Sequence, residues 1–291
     1  MPNKTEFSYS EAFSRNIGWL LRNEQVMLQN KKVAIAGLGG VGGSHLLTLT
    51  RLGLGHFHIA DFDHFELANF NRQAGAMVSH LGKPKAETLA SMAQDINPEL
   101  NITLFNKGIS EPNIEQFLEG VDIYVDGLDF FVLDVRRLIF KRCAELGIPA
   151  VTVAPLGMGA ALLNFLPGKM TFEQYFQLEG QTQEEQYLRF LLGLSPAMLQ
   201  SGYLIAPEAV DLINKKGPST AMACELCAGI AATQVLKILL KRGKVCIAPT
   251  GLHFDAYKNK LKRTWRPWGN SNPLQQLALT IARRRFIANL K

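Results

Sequence analysis

The segment VAIAGLGGVGGSHLLTLTRLGLGHFHIADFD, Val33 to Asp63, limits the possible fold more than any other stretch of the chain. Four apolar residues, Val33–Ala36, run directly into a glycine turn; a helical pattern over Gly43–Leu52 follows, and Phe57–Ala60 leads to Asp61. Gly37, Gly39 and Gly42 satisfy G-x-G-x-x-G immediately after the strand, with Gly40 in the same turn and Asp61 24 positions beyond Gly37. Glycines let the backbone turn tightly and approach a ligand, and the next helix directs its positive N-terminus at the same point. Asp61 is placed to accept hydrogen bonds from a ribose. A nucleotide site is expected here, and the fingerprint does not say which nucleotide.

The rhythm continues beyond this unit. Strand-like runs at Ile102–Phe105, Ile123–Val125 and Ala150–Val153 alternate with helical patterns at Pro84–Ile96, Ile114–Leu118 and Val132–Leu146. Alternation of this kind predicts an α/β fold: a Rossmann-like, mostly parallel sheet with helices on both faces. After Val153 the rhythm breaks. GAALLNFLPG reads as one more strand, and Thr171–Leu212 as short helical pieces forming a cap on the substrate side. The longest helical pattern is STAMACELCAGIAATQVLKILLKRG, with Ser219 as N-cap and Gly243 as stop. VCIAPTGLHFDAY then suggests two closing antiparallel strands around a Pro-Thr-Gly turn. The expected organisation is an N-terminal helical segment (1–30), a nucleotide-binding core (31–168), a helical cap (169–218), a helix with closing strands (219–256) and a basic tail (257–291).

A chain of 291 residues with 47% hydrophobic and 19% charged residues belongs to the globular class. The start MPNKTEFSYSEAFSRN lacks a basic region followed by an apolar one, so a cytoplasmic location is expected. The most apolar stretch, Ala150–Pro167, carries Pro155, Gly157 and Gly159; two buried strands joined by a turn explain it better than a membrane span, and no membrane partner is expected. The net charge of +6 is uneven: from Tyr257 to Lys291 the chain has Lys258, Lys260, Lys262, Arg263, Arg266, Arg283, Arg284, Arg285 and Lys291 and no acid.

The stretch ADFDHFELANFNRQAGAMVSHLGKPKAE separates two nucleotide chemistries. A nicotinamide enzyme needs few cations after the second strand, whereas Asn69, Asn71, Arg72, Gln73, Lys83 and Lys85 supply donors suited to a triphosphate. With GLGGVG, ADFDHFELANFNRQ, LGKPKAE and VDGLDF in that order, the sequence resembles the ThiF/MoeB family, whose fold is shared with ubiquitin-activating enzymes. The likeness runs from about Phe13 to Val153 and resumes over Ala221–Leu240. It implies that Asp61 holds the ATP ribose, that Asn69, Arg72 and Lys85 contact the phosphates, and that Asp129 carries Mg²⁺. Arg15, in FSRNIG, resembles an early arginine that in the family's dimers reaches the neighbouring subunit's site, so a homodimer is expected. Arg15, Arg72, Lys85 and Asp129 are the implied catalytic set.

The reaction so implied is attack of a substrate carboxylate on the α-phosphate of ATP, giving an acyl-adenylate and pyrophosphate. A carboxylate is already ionised at neutral pH, so a general base contributes little. Charge neutralisation on the phosphates is the main requirement. The substrate is a small ubiquitin-like protein's C-terminus, a peptide, or a carbamoyl-threonine nucleoside of tRNA. The alternatives are an NAD-dependent oxidoreductase using the same glycine loop, and a non-catalytic subunit of a heterodimeric activating enzyme.

Two departures from the family pattern matter. Only Cys224 and Cys227 have zinc-site spacing, without a second pair, so two thiols packed on a helix are expected rather than zinc. From Asn164 to Ala223 there is no cysteine, so the activated group is expected to pass to a nucleophile supplied from outside. NFNRQ and the absent cysteine resemble the tRNA branch, and the basic tail, with Trp265 and Trp268, suits RNA. PLQQLALTIARRRFIANLK reads equally as an amphipathic helix docked on its own domain or on a partner subunit.

Overall fold

The computed structural model describes residues 7–211 and 214–289. Eight strands form one sheet in the order β3-β2-β1-β4-β5-β6-β7-β8. They are β1 (Lys32–Ala36), β2 (His56–Ala60), β3 (Asn101–Phe105), β4 (Ile123–Asp126), β5 (Ala150–Leu156), β6 (Gly159–Phe165), β7 (Thr250–Asp255) and β8 (Lys260–Trp265). The first five are mutually parallel, and β6, β7 and β8 continue the sheet antiparallel. The helices are α1 (Tyr9–Ala12), α2 (Arg22–Gln29), α3 (Gly40–Leu52), α4 (Lys85–Ile96), α5 (Ile114–Leu118), α6 (Leu133–Leu146), α7 (Phe172–Phe176), α8 (Gln183–Leu194), α9 (Ala221–Leu239) and α10 (Pro273–Asn289).

Period-two side-chain alternation divides the interior into two cores. Val33, Ile35, Ile123, Val125, Val151 and Val153 face α3, α4 and α9, while Ala34, Ala36, Tyr124 and Ala150 face α5, α6 and the cap helices. The cap thus belongs to the second core: Phe172 packs on Phe140 of α6 and Phe165 of β6, Phe176 on Phe165, and Phe190 on both Phe172 and Phe176. Ala150–Phe165 is the antiparallel pair β5/β6 turning at Gly157. One described helix, α9, is long and apolar enough to cross a membrane; here it lies against α3, β5 and β6.

Several boundaries differ from expectation. Helix α3 begins at Gly40, so Gly40 and Gly42 lie in its first turn rather than in the loop. Helix α9 is preceded by Thr220, not Ser219, because the Thr220 hydroxyl donates to the Gly157 carbonyl and fixes the entry there. It ends at Leu239, with Lys241 already left-handed, before Gly243 is reached. The Pro-Thr-Gly sequence opens β7 instead of joining two strands; the β7/β8 turn lies at Ala256–Asn259, and β8 falls in the stretch read as a tail. Helix α10 docks on α8, burying Leu279 against Leu188 and Leu192 while Arg283 pairs with Glu185. Part of the basic charge is therefore internal to the fold. Leu212, Lys291 and the Arg285 side chain lie outside the described residues.

Candidate active site

The glycine turn is built backbone against backbone. Gly37 adopts φ +81° and donates to the Ala60 carbonyl, while the Gly127 amide donates to the Ala36 carbonyl. A Cβ on Gly37 would lie 2.5 Å from the Gly127 oxygen, and one on Gly42 would collide with the Gly37 oxygen. These two positions need glycine for close approach. Gly39 differs: an added Cβ would meet only Gln73 Nε2, at 3.6 Å, so packing does not explain it. Gly39 precedes α3 with no side-chain cap, leaving the first amides of a 13-residue helix open to an anion.

Asp61 follows β2. Its Oδ2 accepts from the Leu38 amide at 2.6 Å and its Oδ1 from the Asp63 amide at 2.8 Å, which fixes the carboxylate beside the glycine turn. Burial pushes its pKa up, while the two amides and the Lys85 charge oppose that shift. Lys85, the first residue of α4, is not a solvated cation. Its side chain is only 7% exposed and its Nζ lies 3.2 Å from Asp63 Oδ2. Asp63 is therefore the partner that holds this ammonium.

The segment between them forms a compact loop. Asn69 is buried, and its Oδ1 accepts from the Glu66 amide, so its first task is to shape the turn. Arg72 Nη1 donates to the Ala68 carbonyl and to Asn71 Oδ1, and its stem passes 3.7 Å from the position of a Cβ on Gly40. Nε and Nη2 have no partner among the described residues. Gln73 is buried beside Gly39, and its Oε1 lacks a protein partner. Asn71 donates to the Ser219 carbonyl, tying this loop to the entry of α9.

Strand β4 ends at Asp126, which is buried and paired with Arg136 at 2.8 Å; Asp129 stands three residues later in the turn before α6. Asp129 Oδ1 accepts from the Phe131 amide in the turn ahead of α6, and Oδ2 has no partner among the described residues. The turn sits against the glycine loop, since a Cβ on Gly37 would lie 2.8 Å from Leu128 Cα. Among the described residues no three His, Cys, Asp or Glu side chains gather to hold a metal. A single open carboxylate beside an anion site still suits Mg²⁺, which is held by one or two carboxylates and substrate phosphates.

Gly37, Gly39, Gly40, Gly42, Asp61, Asn69, Arg72, Lys85 and Asp129 thus come to one end of the sheet, at the carboxyl ends of β1, β2 and β4. Arg15 does not. Its segment is tied to the far end of α3, where Asn16 and Gln25 donate to the Leu52 carbonyl. That end is about 18 Å from the glycine turn at 1.5 Å per residue. Cys224 and Cys227 are buried on α9, Cys143 on α6 and Cys246 before β7; burial raises all four thiol pKa values. Sequence reasoning passed over Asp126 and Arg136. Their only signal was the spacing of two acids in VDGLD and an arginine on the following helix.

The ThiF family model matches residues 13–276. Among curated proteins, the chain is 33% identical over 150 residues to the tRNA threonylcarbamoyladenosine dehydratase of Bacillus subtilis, covering 51% of this chain and 57% of that one. The match therefore spans little more than half of that relative. It is 28% identical over 193 residues to the sulfur carrier protein ThiS adenylyltransferase of Escherichia coli, covering 65% and 75%, and 26% identical over 179 residues to the molybdopterin-synthase adenylyltransferase of Haemophilus influenzae, covering 60% and 73%. Among solved structures, E. coli MccB with MccA-N7isoASN superposes with a TM-score of 0.68 at 20% identity, covering 94% of this chain and 77% of that one. PaaA does so at 0.66 and 17%, covering 91% and 77%. These two likenesses carry the fold alone. With the family model spanning nearly the whole sequence and its glycine loop, acid and basic residues assembled at one sheet end, the chain belongs to the ThiF family.

Proposed function

We propose that the protein is an ATP-dependent adenylyltransferase that activates a substrate carboxylate as an acyl-adenylate. The observation that carries this reading is the convergence of the uncapped α3 N-terminus, Arg72 and the buried Lys85 beside one glycine turn. These residues suit a nucleoside triphosphate: a Cβ on Gly39 would meet nothing nearer than 3.6 Å, and the uncapped amides of α3 are available to an anion. In this reading Asp61 accepts from the ribose hydroxyls, Asn69 and Arg72 contact phosphate oxygens, and Lys85 offsets charge as pyrophosphate leaves. Asp129 Oδ2 would hold Mg²⁺, which supplies further neutralisation of the phosphates.

The carboxylate arrives ionised and attacks the α-phosphorus, the bond to pyrophosphate breaks, and no proton need move. The described cysteines are poor acceptors for the acyl group, because burial holds their thiols protonated. The activated group then goes to an external nucleophile. Substrates of a ThiS or a molybdopterin-synthase adenylyltransferase, and of a tRNA-modifying dehydratase, bracket the choice: a small protein's C-terminus, a peptide, or a carbamoyl-threonine nucleoside. The exposed Lys260, Lys262 and Arg263 with Trp265 and Trp268 favour a polyanionic carrier such as tRNA. We place the enzyme in the cytoplasm as a homodimer, with Arg15 supplied across the interface. Trp19, Leu21, Val26 and Met27, exposed on the same N-terminal segment, support that arrangement.

The test is return of radiolabelled pyrophosphate into ATP, with small-protein, peptide and tRNA fractions added in turn. Exchange should depend on one fraction and fall by about 10²-fold or more in Lys85→Ala and Asp129→Ala. Binding of NAD(H) without ATP binding would replace this reading with the redox one.

A further inference from the structure

One side chain holds the turn that carries Asp129. Arg136 lies within α6, its side chain only 3% exposed. Its Nε donates to Asp126 Oδ2 at 2.8 Å; its Nη2 donates to the carbonyls of Leu128 at 2.7 Å and Asp129 at 3.1 Å. Its Nη1 reaches the carbonyls of Val132 at 3.3 Å and Phe130 at 3.5 Å. The guanidinium face lies 4.7 Å from the centre of the Phe190 ring, on cap helix α8. Asp126 is fixed in turn by the Thr152 hydroxyl at 2.9 Å and the Tyr124 hydroxyl at 3.3 Å.

A buried ion pair could be satisfied by Asp126 and local helix carbonyls alone. Instead the planar fork spreads its donors over four carbonyls of one turn, which a lysine's single nitrogen cannot do. The turn's other supports are the Leu128 amide on Asp126 Oδ1, the Phe131 amide on the Asp129 side chain, the Val132 amide on the Asp129 carbonyl, and the rings of Phe130 and Phe131 packed on Tyr187 and Phe190 of α8; none of these reaches the carbonyls of Leu128 or Phe130. The stacked ring belongs to cap helix α8, so the cap and the Asp129 turn share one guanidinium.

We propose that Arg136 is a positioning residue of the adenylation site. It fixes Leu128–Val132 so that Asp129 Oδ2 faces the nucleotide, and through Phe190 it makes the order of that turn depend on how α8 is seated. The inference rests on the assignment of Asp129 given above. Seating of Phe190 on the Arg136 guanidinium becomes the way in which occupancy of the cap is felt at the metal ligand.

Arg136→Lys keeps a charge against Asp126 and removes the fork; Phe190→Leu keeps apolar volume and removes the ring. Hydrogen exchange in the nucleotide-free protein should accelerate about tenfold or more at the Phe131 and Val132 amides in Arg136→Lys, with β1 and β4 amides unchanged. By calorimetry, the Mg²⁺ concentration needed for half-maximal enhancement of ATP binding should rise about tenfold, as for loss of an outer-shell support, while metal-free ATP affinity stays within about twofold. Phe190→Leu should shift both readouts in the same direction by about threefold. Unchanged exchange at the turn, faster exchange spread evenly over the sheet, or an unchanged Mg²⁺ requirement would overturn the proposal. A wild-type protein whose ATP binding ignores Mg²⁺ would instead sink the Asp129 assignment, and the exchange data would still decide whether Arg136 orders the turn.

Discussion

His45 makes the glycine-loop helix sensitive to acid. It lies on α3, fully buried, and neither ring nitrogen has a protein partner. Burial alone lowers its pKa from the ordinary 6.5 to about 3. A folded-state value below the unfolded one means that the stability is present above pH 6.5 and is lost as pH falls toward 3. Between about pH 7.5 and about pH 5 the unfolded chain takes up a proton at this site and the folded chain does not. At about 1.4 kcal/mol per pK unit, the loss from this residue over that interval is about 2 kcal/mol. His58 and His253 are shifted in the same direction by burial, so the wild-type curve alone does not isolate His45. The comparison is with His45→Leu, measured by urea unfolding at both pH values. The variant should lose about 2 kcal/mol less than wild type between them. At the higher pH it should match or exceed wild type, because two unpartnered ring nitrogens leave the core. Parallel losses in the two proteins would refute the reasoning.

Two further substitutions test the scaffold of the site. Asp126→Ala leaves Arg136 buried without its carboxylate and should cost about 3–5 kcal/mol in chemical unfolding, far more than Asp129→Ala, whose side chain is exposed. Gly42→Ala should lower the melting temperature and abolish ATP binding together, since its Cβ has no room against Gly37. Gly39→Ala should fold as wild type, its nearest neighbour being 3.6 Å away, yet bind ATP about tenfold more weakly; equal melting curves with equal ATP affinity would show that Gly39 does not face the phosphates.

The parallel half of the sheet was legible because each strand is a short apolar run between helical patterns; β1, β2, β4 and β5 are buried on both faces, while the edge strand β3 is largely exposed. Strand β8 was not. KLKRTW exposes nearly every residue, so no period-two burial marks it and its charges read as a tail. The site was legible in its motifs and obscure in its supports. Lys85 and Lys83 look alike in LGKPKAE, and only the folded loop buries one and leaves the other in solvent. Arg136 sits in DVRRL beside Arg137, a surface-like pattern, until the turn before α6 folds over it. Arg15 lies toward the far end of α3 in its own chain, so the role its motif implies could be played only in a neighbouring subunit's site.

The contact among Gly37, Gly42 and the Gly127 turn has a consequence for how such a protein can diverge. Main-chain atoms meet main-chain atoms there, so no rotamer change or shortened neighbour compensates for an added carbon at Gly37 or Gly42. Single-step variation at these positions leads to inactive ancestors, and so does most paired variation. New specificity must therefore enter through segments that touch the turn only by side chains, which here means the cap between β6 and α9 and the strands beyond it.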